Sequence, residues 1–125
     1  MFKRILLERA DFQLIASDLV KYYKVKSKIK FGASANKADY NWMTDTIRLR
    51  SSYSTVRELI TTILHEIKHA IDAKKMGKNR YEKAYQLAGD IAVNKGKDFH
   101  DDNKFEEIAE KWAIKEYGRK WKNKF

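Results

Sequence analysis

The pentapeptide HEIKH, from His65 to His69, places two histidines four residues apart with a glutamate directly after the first. On an α-helix, residues four apart stand one above the other on one face, so both imidazoles can turn toward a single metal ion. Neutral imidazole ligates zinc at about 2.0–2.1 Å, and a catalytic zinc keeps three protein ligands plus one position for water. Glu66 is turned part of the way round the helix, where it reaches that water rather than the metal and can act as general base. The chain has three histidines, and two of them belong to this motif. Two solvated histidines on an amphipathic helix would show the same spacing, so a further ligand decides between the readings.

The chain has no cysteine, which excludes thiolate ligands, disulfides and a cysteine nucleophile. A third ligand must therefore be a carboxylate or the remaining histidine. Glu106, Glu107 and Glu110 open a segment whose apolar stripe is Phe105, Ile108, Ala109, Trp112 and Ala113. At about 100° per residue Glu106 falls at the edge of that stripe, Glu110 somewhat further round and Glu107 nearly opposite. Glu106 is thus the preferred ligand. Glu110, one turn on, is placed to accept a hydrogen bond from the second nitrogen of a ligating histidine. Acidic residues also stabilise a helix N-terminus in their own right. His100, between Asp98 and Asp101, is the competing ligand, a donor to the oxyanion of a tetrahedral intermediate, or plain surface. Tyr81 and Tyr85 are further oxyanion candidates.

These residues need elements to hold them. Residues 2 to about 24 carry apolar positions at three-and-four spacing, among them Ile5, Leu6, Phe12, Ile15, Ala16, Leu19, Val20 and Tyr23, and predict an N-terminal helix. Val25–Phe31 and Thr46–Arg50 alternate apolar and polar residues, with Ala38–Met43 between them, and Gly32–Asn36 and Thr44-Asp45 read as turns. Together they predict a small antiparallel sheet of two or three strands. Thr55-x-x-Glu58 has capping-box spacing and opens a helix from about Val56 to Lys75, ending near Gly77. Its apolar face includes Leu59, Ile60, Ile63, Leu64 and Ile67, leaving both histidines on the other side. Two more helices are expected, Tyr81–Val93 and Lys104–Tyr117, the last stopped by Gly118 and followed by the basic aromatic tail RKWKNKF. The fold class is α+β, a single domain over residues 1–125.

HEIKHA on a helix, preceded by a strand and followed by Glu106, Ala109, Trp112 and Ala113 at E-x-x-A-x-x-W-A spacing, resembles the minimal zincin metallopeptidases of the glutamate-ligand group. Phage-encoded metallopeptidase-like proteins and repressor-cleaving peptidase domains share this arrangement. The resemblance spans about residues 46–73 and 105–113. It implies a Zn²⁺ held by His65, His69 and Glu106, with Glu66 as catalytic base and a peptide or protein substrate. It implies an acidic residue four positions after the third ligand, here Glu110, and a sheet edge at Thr46–Arg50 along which substrate lies. It also implies a zinc-dependent peptidase activity, in a host cytoplasm if the gene is phage-borne.

The net charge of +10 carries a second expectation. A basic surface favours nucleic acid or other anionic partners, and a non-catalytic nucleic-acid-binding or phage-assembly module on a zincin-like scaffold is the alternative function. The N-terminus MFKRILLERADF is broken by charges and carries no signal-peptide pattern, and no apolar run is long enough to span a bilayer, so a cytoplasmic protein without membrane attachment is expected.

Overall fold

The computed structural model describes residues 9–32 and 38–124. The predicted helix start at residue 2 with Ile5 and Leu6, residues 33–36 of the predicted turn, and Phe125 lie outside the described residues. The elements in chain order are α1 (Arg9–Tyr22), β1 (Lys28–Phe31), β2 (Asp39–Asn41), β3 (Thr46–Leu49), α2 (Val56–Met76), α3 (Lys78–Asn94) and α4 (Lys104–Glu116). The layout is α+β, as the patterning predicts.

α1 buries Phe12, Ile15, Ala16 and Leu19, one helical stripe, against the sheet and α2. Its end explains why the first strand is shorter than Val25–Phe31. The Val25 amide donates to Val20 O at 2.9 Å and the Lys24 amide to Lys21 O at 3.0 Å, with Lys24 left-handed at φ 58°. This is a Schellman closure, and it consumes Val25 in capping the helix. Pairing therefore begins only at Lys28.

The sheet has the order β1-β3-β2, with β1 and β3 parallel and β2 and β3 antiparallel. The expected purely antiparallel sheet is thus corrected to a mixed one. Alternation along a segment shows that it is a strand but says nothing of its neighbour's direction. Here the turn Trp42–Asp45 folds β2 back on one side of β3. Its geometry is held by Asn41 Oδ1, which accepts from the amides of Met43 at 2.9 Å and Thr44 at 3.2 Å. On β3's other side, the Lys28 amide donates to Asp45 O at 2.9 Å and Ser27 Oγ to Asp45 Oδ1 at 2.6 Å, which seats β1 in parallel register. A second correction follows. β3 is bonded on both sides, so Thr46–Leu49 offers no free sheet edge; the edge strands are β1 and β2, and β2 is the one beside the HEIKH helix. Central position also accounts for the complete burial of Ile47 and Leu49.

α2 is the spine. Thr55 Oγ1 accepts from the Glu58 amide at 3.0 Å, while Glu58 Oε1 reaches back to the amide of Ser54 at 2.9 Å, one residue earlier than in a standard capping box. Leu59, Ile60, Ile63, Leu64 and Ile67 bury its core face. Gly77, at φ 92°, turns the chain directly into α3, which begins three residues before the predicted Tyr81. α4 crosses α2 through Ala109 and Ala113, both fully buried and small enough for close approach. Gly118 does not end the chain's helical path: Tyr117–Trp121 forms a π-helical turn. Its buried Trp121 donates Nε1–H to Tyr23 OH at 2.9 Å, and Tyr23 OH donates to Glu116 Oε1 at 2.7 Å. The basic aromatic tail is therefore anchored to the core at Trp121, while Arg119, Lys122, Asn123 and Lys124 stay exposed. Among the described residues no helix is long and apolar enough to cross a membrane.

Candidate metal centre

The face of α2 opposite the core is covered by α3 and α4, and the three elements meet at the HEIKH motif. His69 and Glu66 are buried at 4% and 6% exposure, so the motif does not lie on a solvated surface. From α4, Glu106 enters between the two histidines. Its Oε1 lies 2.7 Å from His65 Nε2 and 3.0 Å from His69 Nε2. His65, His69 and Glu106 each offer one ligand atom, all within 4.8 Å of one another, and the group could hold a metal ion. The donor set of two imidazole nitrogens and a carboxylate oxygen suits a borderline cation that takes N and O ligands.

The buried stripe of α4 explains Glu106's aim. It runs Glu106, Ala109, Ala113 and Glu116, whereas Ile108 is 38% exposed. The predicted stripe is thus rotated, and Glu106 stands within the packed face rather than at its edge. Apolar periodicity undercounts a face that contains functional carboxylates. Glu107 is exposed, as its angle requires.

Each histidine is also fixed through its other nitrogen. His65 Nδ1 donates to Glu110 Oε1 at 3.0 Å, and His69 Nδ1 lies 2.9 Å from Tyr81 OH. Such outer hydrogen bonds orient the rings and set which nitrogen faces the centre. Burial alone would lower the His65 pKa, but the carboxylates of Glu106, Glu66 and Glu110 outweigh it and raise it to about 9. Burial pushes in the opposite sense on Glu106, yet hydrogen bonds from His100, His65 and His69 hold its carboxyl far below the usual range.

His100 stands in the loop before α4, with Nε2 3.1 Å from Glu106 Oε2, the oxygen that also accepts from Tyr85 OH. It borders the cluster but is not one of the three convergent ligands. Tyr85 and His100 present donors on the same side of Glu106. Tyr81 is already engaged by His69. Both tyrosine hydroxyls are pushed up by burial, and so remain protonated donors.

Glu66 differs from its neighbours. Among the described residues its carboxylate has no hydrogen-bond partner, and burial raises its pKa to about 7. It lines a pocket of about 260 Å³ with Trp42, Tyr85, Phe99 and His100, and a groove of about 410 Å³ with Arg50, Thr62 and His65. Ala38 and Glu106 border both, so one cleft crosses the site beneath edge strand β2.

Sequence reasoning missed the aromatic wall. Trp42 packs on Tyr81 and Tyr85, each at 5.8 Å between ring centroids. Phe99 packs on Tyr85 at 6.3 Å. It also missed Asn103, fully buried, whose Oδ1 caps α4 at the Phe105 amide and whose Nδ2 donates to Tyr85 O at 3.0 Å. Asn directly before a helical segment is a recognised cap signal, and it was legible there. Compared with family models, with curated proteins and with solved structures, the chain finds no match.

Proposed function

We propose that the chain is a zinc-dependent peptidase with His65, His69 and Glu106 as metal ligands and Glu66 as general base. The observation that carries this reading is the convergence of three ligand atoms within 4.8 Å beside a buried carboxylate that has no other partner among the described residues. Zinc bound there would supply a Lewis acid that lowers the pKa of a water and polarises the scissile carbonyl. Glu66 takes the proton of the attacking water and returns it to the leaving amine nitrogen. Tyr85 and His100 are the donors for the oxyanion, being hydrogen-bonded at Glu106's outer oxygen and facing the cleft. An extended peptide adds to the edge of β2 that faces away from β3, which has no strand partner among the described residues.

The test is metal analysis of untagged protein together with a peptidase assay on an unstructured protein such as casein. Stoichiometric zinc, a rise in melting temperature on adding zinc, and loss of turnover in Glu66→Gln with zinc retained are expected. Turnover unchanged in Glu66→Gln would exclude the base, and absence of zinc binding would exclude the site. The non-catalytic alternative draws on the net charge of +10. It would be favoured by DNA affinity that falls steeply with salt, combined with no hydrolysis.

A further inference from the structure

A second cavity, of about 630 Å³, lies between the C-terminal half of α2 and the segment that links α1 to β1. It contains none of the three convergent ligands; Tyr40 alone is shared with the pocket beside Glu66. Its floor is apolar, built from Val25, Ala70, Ile71 and Ala73 with Tyr23 and Tyr40 as walls. Both tyrosine hydroxyls are already spent, on Glu116 and on Asp45, so these residues offer the cavity their rings rather than their polar ends.

The rim is cationic. Lys24, Lys26, Lys74, Lys75 and Lys78 surround an opening with a single acid, Asp45. Asp45 Oδ1 already accepts from Ser27 Oγ at 2.6 Å and Tyr40 OH at 2.8 Å. Lys78 Nζ donates to Met43 O at 3.2 Å, but Lys24, Lys26, Lys74 and Lys75 make no ion pair among the described residues. Elsewhere lysines do find acids, as Lys68 does with Asp72 and Lys120 with Glu116. Lys24 comes to the rim from the left-handed position that closes α1. Several unpaired ammonium groups around one opening favour a multiply charged anion over a single carboxylate, and a phosphate carries about −1.5 to −2. A cavity of this volume takes a ligand of drug or nucleotide size. The apolar floor asks for a ring or comparable apolar body attached to that anion.

We propose that this cavity binds a nucleoside phosphate, with the base on the Ile71–Ala73 floor and the phosphates among the rim lysines. The ligand is either a free nucleotide or a nucleotide unit of a single strand; the recognising chemistry is the same. The experiment is fluorescence anisotropy of the full chain with an N-methylanthraniloyl-labelled ATP, competed by ATP, AMP, adenosine, inorganic tripolyphosphate and a short oligothymidylate. Saturable binding is expected, displaced by ATP better than by AMP, adenosine or tripolyphosphate alone. The double variant Lys26→Glu/Lys74→Glu alters only exposed side chains, and should retain the wild-type circular dichroism while weakening binding about tenfold or more. Glu66→Gln should bind as the wild type does, so the outcome is independent of the peptidase reading. Oligothymidylate competing more strongly than ATP identifies a single strand as the source, and the reverse a free nucleotide. No saturable binding, tripolyphosphate equal to ATP, or an unaffected double variant would overturn the proposal.

Discussion

His65 donates its Nδ1–H to Glu110 Oε1 at 3.0 Å, joining one end of the HEIKH motif to the second turn of α4. The carboxylate fixes the ring so that Nε2 faces Glu106 and increases the basicity of that nitrogen. Glu110 is mostly exposed, with 61% of its side chain accessible, and contributes little to folding. In Glu110→Ala zinc affinity is expected to fall about 10–100-fold with little change in metal-free melting temperature. Competition against a chromogenic chelator measures this. Wild-type affinity in the variant would leave Glu110 as a solvated acid near a helix start.

Gly89 makes room for the loop that carries His100. A Cβ built there would lie 2.3 Å from a ring carbon of Phe99, closer than any side chain tolerates, and the obstructing atoms belong to a rigid ring. Gly89→Ala must therefore push Phe99 off α3 and move the adjacent His100 away from Glu106. Overpacking of this kind costs about 1–3 kcal/mol, even though alanine is the better helix former. Thermal melts should show the loss, and the His100 ring resonances should shift toward those of a solvent-exposed histidine. A stabilised variant would mean that the loop adapts without cost.

The sequence made the chemistry legible where periodicity and chemistry coincide. The HEIKH spacing, the Thr55 cap and the long apolar face of α2 all belong to one uninterrupted helix, where angle follows directly from residue number. Legibility failed where geometry depends on non-local pairing. The direction of β1 is set by Asp45 and Lys28 across the sheet, not by β1's own alternation. Apolar periodicity misplaces the buried stripe of α4 because two of its four buried members are glutamates: Glu106 is held by histidines distant in sequence, and Glu116 by Tyr23 from α1's end together with its neighbours Arg119 and Lys120. Gly118 is a sound stop signal locally, but burial of Trp121 against Tyr23 overrides it.

Asn103 couples α3 to the start of α4. Its side chain caps the Phe105 amide at 2.9 Å and donates to Tyr85 O at 3.0 Å, from a fully buried position three residues before Glu106. Asn103→Ala removes both bonds and leaves the Phe105 amide uncapped, while Tyr85 O, inside α3, keeps its helical partner; the loss is about 1–2 kcal/mol. Asn103→Asp keeps the cap and loses only the donor. Denaturant melts should therefore rank wild type above Asp and Asp above Ala, with zinc affinity following the same order because the entry angle of Glu106 is set here. Equal stability of the Ala and Asp variants would show that the cap contributes nothing.

Glu66 should be costly to the fold in the form that the proposed reaction requires. Burial raises its pKa from 4.5 to about 7, so folding favours the protonated acid. For a group whose folded pKa is raised, the contribution to stability is fully present below the unfolded value and is lost as pH rises through the folded one. His65, raised to about 9 by its carboxylate neighbours, acts in the same sense over a higher interval. The shift at Glu66 corresponds to about 3 kcal/mol, lost between about pH 4.5 and 7. Glu66→Gln has no proton to lose. In the presence of chelator its melting temperature should match that of the wild type at pH 5 and exceed it by several degrees at pH 8. Parallel melting curves across that range would show that the carboxylate is solvated rather than buried. The activity assay must move the other way, because only the ionised carboxylate can accept a proton, and the variant that gains stability is the one that loses turnover.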